Sequence, residues 1–176
     1  MTTDERIENL EKGLAALRAE LAECVRTQAI EVVDENGRID AILAASKDGP
    51  TLSLFDENGN IRAMLAASKD GPTLGLCDEK GNSRAMLSLD KDVPTLSLFD
   101  ENGNICAMMN ASKDGPGLNL ADENGKARAW LGVAKDGPRL ALVDQNGKGR
   151  VGLGVFKDGP GLVLLDENGK VIWRAP

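Results

Sequence analysis

The sequence predicts a mostly β protein. Seven 22-residue β-hairpin repeats form a continuous antiparallel meander, packed as a homotrimeric triangular β-prism and preceded by an N-terminal α-helical coiled coil. Three observations predict it. An aspartate recurs every 22 residues without drift, at Asp34, Asp56, Asp78, Asp100, Asp122, Asp144 and Asp166. A glycine follows each one three residues on, at Gly37, Gly59, Gly81, Gly103, Gly125, Gly147 and Gly169. Upstream, Ile7, Leu10, Leu14, Leu17, Leu21 and Cys24 alternate spacings of three and four. A fixed period of roughly 20–50 residues marks a repeat architecture, and the three-four alternation marks a coiled-coil seam. The division follows: residues 1–28 for the helix, and 29–176 for repeats starting near 29, 51, 73, 95, 117, 139 and 161.

The helix comes first. Asp4 and neighbouring acidic residues suit a helix N-terminus, where they meet the positive end of the dipole. A stripe of two apolar residues per heptad is narrow for packing on a globular core, so it favours self-association over docking on the chain's own sheet. Leucine at both seam positions does not fix the number of strands.

The second repeat shows the unit: TLSLFD, ENGN, IRAMLAAS, KDGP. Asn58-Gly59 and Asp70-Gly71 are dipeptides favoured by two-residue hairpin turns, which need positive φ. Turns there place Leu54 opposite Ala63, Leu52 opposite Leu65, Leu65 opposite Leu76 and Ala67 opposite Leu74. Leu52, Leu54, Ile61, Ala63, Leu65 and Ala67 then share one apolar face. A three-residue loop would slip the register by one and put Arg62 beside the leucines, because the strand period is two. The other face carries Ser53, Phe55, Arg62, Met64 and Ala66. Cross-strand ion pairs between repeats are expected there, Arg62 with Glu79, Arg84 with Glu101 and Arg150 with Glu167, each contributing little stability. Asp40 opposite Glu57 breaks that pattern.

One apolar face along a meander of about fourteen strands must be covered. A single-chain barrel of that size would leave a lumen that Leu and Ala cannot fill. Copies of the chain are therefore the expected partner, three first and two next. Strands of about 20 Å make a triangle whose centre lies about 6 Å from each wall, close to half the usual sheet spacing of about 10 Å. Fourteen strands at about 4.8 Å give a shaft of roughly 60–65 Å. Trp173, at an inward alanine position of the last repeat, would plug its end. The plan resembles trimeric coiled-coil-plus-β-shaft fibre proteins of bacterial surfaces or phage tails. That resemblance is architectural and implies no functional residue here.

Composition excludes several function classes. The net charge of −7 argues against nucleic acid or an anionic membrane surface. No 18-residue apolar run or apolar leader occurs, so no membrane insertion is expected. The cytoplasm is the default location, with a surface or phage-associated one as the alternative. The chain has no His, no Ser-centred elbow and no Cys/His pair, so it is not expected to be an enzyme, and no cofactor is expected. The aspartate column is the sharpest site candidate. Asp-Glu-Asn-Gly superficially resembles a calcium loop, but the further oxygen ligands are missing. Carboxylates about 9.5 Å apart are too sparse for a cage, so hydrogen bonding to turn N–H groups is the preferred role. The turn glycines open no helix and form no phosphate loop.

The remaining candidates are single residues. Cys24 falls on the seam, where buried packing is favoured over an interchain disulfide. Cys77 and Cys106 lie three strands apart on the outer face, too far to bridge. Trp130 takes a Met64-type outer position, where packing on a neighbour is favoured over a contact hot spot. Val93 replaces the second-turn glycine; a β-branched residue at positive φ is strained, so that turn should be of another type. The expected function is a stiff spacer or structural shaft. The alternative is a binding or adhesion module with ligand or protein sites at inter-chain corners or the C-terminal tip.

Overall fold

The structure, a computed structural model, describes residues 2–23 and 27–176. One helix, α1 (Thr3–Glu23), precedes fourteen strands. They are β1 (Ala29–Val33), β2 (Ile39–Ser46), β3 (Gly49–Phe55), β4 (Ile61–Ser68), β5 (Gly71–Cys77), β6 (Ser83–Asp90) and β7 (Val93–Phe99). β8 (Ile105–Ser112), β9 (Gly115–Ala121), β10 (Ala127–Ala134), β11 (Gly137–Val143), β12 (Gly149–Phe156), β13 (Gly159–Leu165) and β14 (Val171–Ala175) follow. The strands make one open antiparallel sheet in strict sequence order.

Helix α1 begins with a capping box. The Thr2 hydroxyl accepts from the Glu5 N–H at 3.3 Å, and the Glu5 carboxylate accepts from the Thr2 N–H at 2.6 Å. Lys12 pairs with Glu8 one turn back at 2.6 Å. Ile7, Leu10, Leu14 and Leu17 are each at least half exposed. Among the described residues the helix touches no strand. The Cys24 seam position lies outside the described residues.

The repeat folds with two alternating connections, and both differ from the expected turns. Between β3 and β4 the loop has three residues, not two. The Gly59 N–H donates to the Asp56 carbonyl at 3.0 Å, and the Asp56 N–H to the Asn60 carbonyl at 2.9 Å. Gly59 takes φ of 79°, the left-handed step that closes a three-residue hairpin. Such a loop should slip the register, yet Leu54 still faces Ala63 and Leu52 still faces Leu65. A β-bulge restores it: Phe55 faces Ile61, and Arg62 is the extra residue. Ile61 therefore shares the face of Phe55, opposite to the expected one. The loop and the bulge each add one residue, so their effects on face parity cancel. The same bulge recurs at Asp40, Arg84, Cys106, Arg128, Arg150 and Ile172.

At the second connection the two turn residues are Lys69 and Asp70, with Gly71 already in β5 opposite Ser68. The expected turn at Asp70-Gly71 was one residue late. Leu65 faces Leu74 and Ala63 faces Leu76, in place of the expected Leu65–Leu76 and Ala67–Leu74 pairs. A two-residue shift preserves the faces, so the apolar pattern survives.

The third repeat solves its missing glycine differently. Val93 does not adopt positive φ; Lys91 (47°) and Asp92 (68°) do instead. Among the described residues these are the only two with both a side chain and a positive φ. Two successive left-handed residues are the geometry of a type I′ turn, so the turn has changed type around the valine.

Candidate functional site: the aspartate column and the open leucine face

Directly opposed residues share a face, and successive residues alternate. Pairing therefore draws three continuous rows on one face of the sheet. The middle row runs from Leu43 through Leu52, Leu65, Leu74 and Leu87 to Leu162, with Met109 the single departure from leucine. Beside it, Leu54, Ala63, Leu76 and Ala85 begin a row that alternates large and small. On the other flank Pro50, Ala67, Pro72 and Leu89 lie toward the Lys-Asp turns. Every residue of the three rows from β2 to β13 is apolar.

This face is open. Leu54 is 45% exposed, Leu65 51% and Leu87 50%, and no apolar side chain is buried among the described residues. The opposite face is the tighter one. Ser97 sits between Met86 and Met108 and is 7% exposed, and Gly75 between Met64 and Met86 is buried. Large and small residues alternate across the strands there, as Met64, Gly75, Met86, Ser97 and Met108.

The aspartates cap their own turns, as the sequence favoured. Asp56 Oδ1 accepts from the N–H groups of Asn58 and Asn60, both at 2.9 Å. Asp34, Asp78, Asp100, Asp122, Asp144 and Asp166 repeat this. The N–H of the residue four on is the first cause holding Asp34, Asp56, Asp78, Asp122 and Asp144 below the ordinary carboxylate value. At Asp100 the Asn104 side-chain amide comes first.

The expected arginine pairs are replaced. Arg62 joins Asp56 of its own repeat at 3.6 Å, and its Nε donates to the Cys77 carbonyl of the next repeat at 3.2 Å. Arg150 joins Asp144 at 3.2 Å and donates to the Leu165 carbonyl at 2.9 Å. Arg84 joins Asp78, and Arg128 joins Asp122. Asp40 pairs with Arg38, whose other nitrogen reaches the Glu57 carbonyl. The bulge aims each arginine back at the aspartate six residues earlier, and Arg62, Arg128 and Arg150 also across to the next repeat's backbone. The Asn60 and Asn104 side chains donate across in the same way, to the carbonyls of Glu79 and Glu123. One shallow groove along this edge, of about 420 Å³, is lined by Arg62, Asp78, Glu79 and Arg84 among others. Its mixed charges favour no single ligand sign. Among the described residues no three Cys, Asp or Glu side chains converge where a cation could sit.

Cys77 and Cys106 are free thiols in β5 and β8. The Cys106 thiol donates to the Leu98 carbonyl at 3.3 Å. Trp130 packs against two glycines. Its indole lies over Gly132, where an added Cβ would overlap the ring, and beside Gly117. Next along, the Arg139 guanidinium stands over the Phe156 ring at 5.8 Å. Trp173 faces Leu164 on the last strand pair and is 48% exposed. No helix among the described residues is long and apolar enough to cross a membrane.

No protein-family model and no curated protein matches the chain. Among solved structures it is similar to a mutant of S. aureus TarM, a glycosyltransferase, in complex with fondaparinux, alpha-GlcNAc-glycerol and UDP. The TM-score is 0.31 and the identity 14%, over 80% of this chain and 22% of that one. Beside this finding the expectation that the chain is not an enzyme is withdrawn. A likeness this distant carries no argument about activity in either direction.

Proposed function

We propose that the chain is a structural or spacer protein whose copies assemble into a stiff, elongated shaft. Three copies form a triangular prism, and α1 joins its counterparts in a parallel coiled coil at one end. The observation that carries this reading is the leucine face, apolar over twelve successive strands and open to solvent in the single chain. Burying it requires a partner of equal length and equal repeat, and a second copy has both. The exposed seam Ile7, Leu10, Leu14 and Leu17 supports the same conclusion at the other end of the chain.

Absolute mass by light scattering tests it. Three times 18.6 kDa is expected for the full chain, and a monodisperse monomer would overturn the reading. The second reading, a binding or adhesion module, draws on exposed Trp173 at the end of the sheet. A glycan or protein array giving binding that Trp173→Ala abolishes would favour it.

A further inference from the structure

We infer that the middle leucine row of each copy lies on a common axis with the same row of two others. The row holding Leu54 and Ala63 in one copy then meets the proline row of the next at each corner. This deepens the shaft reading and rests on it. The argument is the size gradient across the face. The middle row is leucine on nearly every strand, whereas one flank falls to Ala63, Ala85 and Ala107 on alternate strands. The other flank is proline on alternate strands, with Ala45, Ala67 and Ala111 between on β2, β4 and β8, and Leu89, Val133 and Val155 on β6, β10 and β12. Two stacked sheets keep a spacing of about 10 Å across their whole width and give no reason for such a gradient. Three walls of a triangle are furthest from one another at mid-wall and converge at the corners. The row that is large on every strand sits where the space is widest, and the rows broken by smaller residues sit where it closes.

The area suffices. Fourteen strands at about 4.8 Å, carrying three rows that span about 20 Å, offer on the order of 1,300 Å² per copy, above the ~800 Å² per partner of a standard stable interface. Nothing among the described residues covers it: α1 touches no strand. No charged side chain lies in the three rows from β2 to β13 to keep the face in water.

Met109 and Met108 provide the test. They are the same residue type on adjacent positions of β8, Met109 in the middle row and Met108 on the opposite face. In the full chain carrying Cys24→Ser, Cys77→Ser and Cys106→Ser, Met109→Cys and Met108→Cys are each treated with arsenite, a small reagent that joins three thiols at one arsenic with loss of water. Met109→Cys is expected to bind one arsenic per three chains and Met108→Cys none. Leu118→Cys, a second middle-row position, repeats the test should Met109→Cys lose its β circular dichroism. A solution trimer in which Met109→Cys binds no arsenic overturns the placement while leaving the shaft intact. A species of two-chain mass overturns the triangle. A monomer by light scattering removes the shaft reading itself.

Discussion

Gly71 lies directly beneath the carbonyl of Leu89, so close that a Cβ on the glycine would overlap that oxygen. Gly49, Gly115 and Gly137 stand in the same relation to Ala67, Val133 and Val155. Gly159 has the same φ, 121° against 122°, and nothing within 4 Å. The repeat thus contains its own control. Gly71→Ala is expected to lose about 2–4 kcal/mol, from positive φ and the blocked approach together. Gly159→Ala should lose about 1–2 kcal/mol, from φ alone. Equal losses in urea unfolding would show that the neighbouring carbonyl does not matter.

The third hairpin holds two side chains in the left-handed region because Val93 cannot take the glycine's role. Asp92→Gly should relieve one of them and raise stability by about 0.5–1 kcal/mol, after allowing for the greater freedom of glycine in the unfolded chain. Val93→Gly should let Lys91 and Asp92 return to negative φ, as in the other repeats. Thermal melts of both variants check this; a fall in melting temperature for Asp92→Gly would contradict the turn assignment.

Acid should weaken the sheet, and the sign follows from the capping bonds. The carboxylates of Asp34, Asp56, Asp78, Asp100, Asp122 and Asp144 sit below 3.8 in the folded chain. The unfolded chain therefore binds more protons in that range, and stability rises with pH there. The contribution is complete above 3.8 and disappears as pH falls through the lowered values. The urea midpoint should hold between pH 5 and 7 and drop steeply below 4. A midpoint as high at pH 2.5 as at pH 5 would mean the caps add nothing.

Trp130 reports on its own packing. Gly132→Ala places a methyl where the indole lies, next to the Pro116 carbonyl at 3.0 Å. The ring must lift, at a cost of about 1 kcal/mol, and its emission should shift to the red. With Trp173→Phe as background the signal comes from Trp130 alone. An unshifted spectrum would place the indole elsewhere.

Much of this fold was legible because the period is strict: the number of strands, their order and the Leu52–Leu65 and Leu54–Ala63 pairs all follow from it. The connections were not legible, for a reason of parity. Apolar alternation reports only whether a register shift is odd or even. A three-residue loop followed by a bulge at Arg62 looks the same as a two-residue loop, and a turn at Lys69-Asp70 looks the same as one two residues out of register. Ile61 was misplaced because it lies inside the stretch where the two readings differ. The arginine pairing does leave a signal in the sequence. Arg62, Arg84, Arg128 and Arg150 each stand six residues after a column aspartate, a spacing that only a bulge brings together.

The pairing of loop and bulge also makes the molecule a ruler. Each 22-residue unit adds two strands, or about 9.6 Å along the sheet, and returns the chain to the same face with the same edge exposed. Whole units can be gained or lost without recutting any other contact, whereas a single inserted residue would turn every leucine beyond it to the wrong side. Length can therefore change only in steps of one repeat, and reach is written directly in the number of column aspartates, from Asp34 to Asp166.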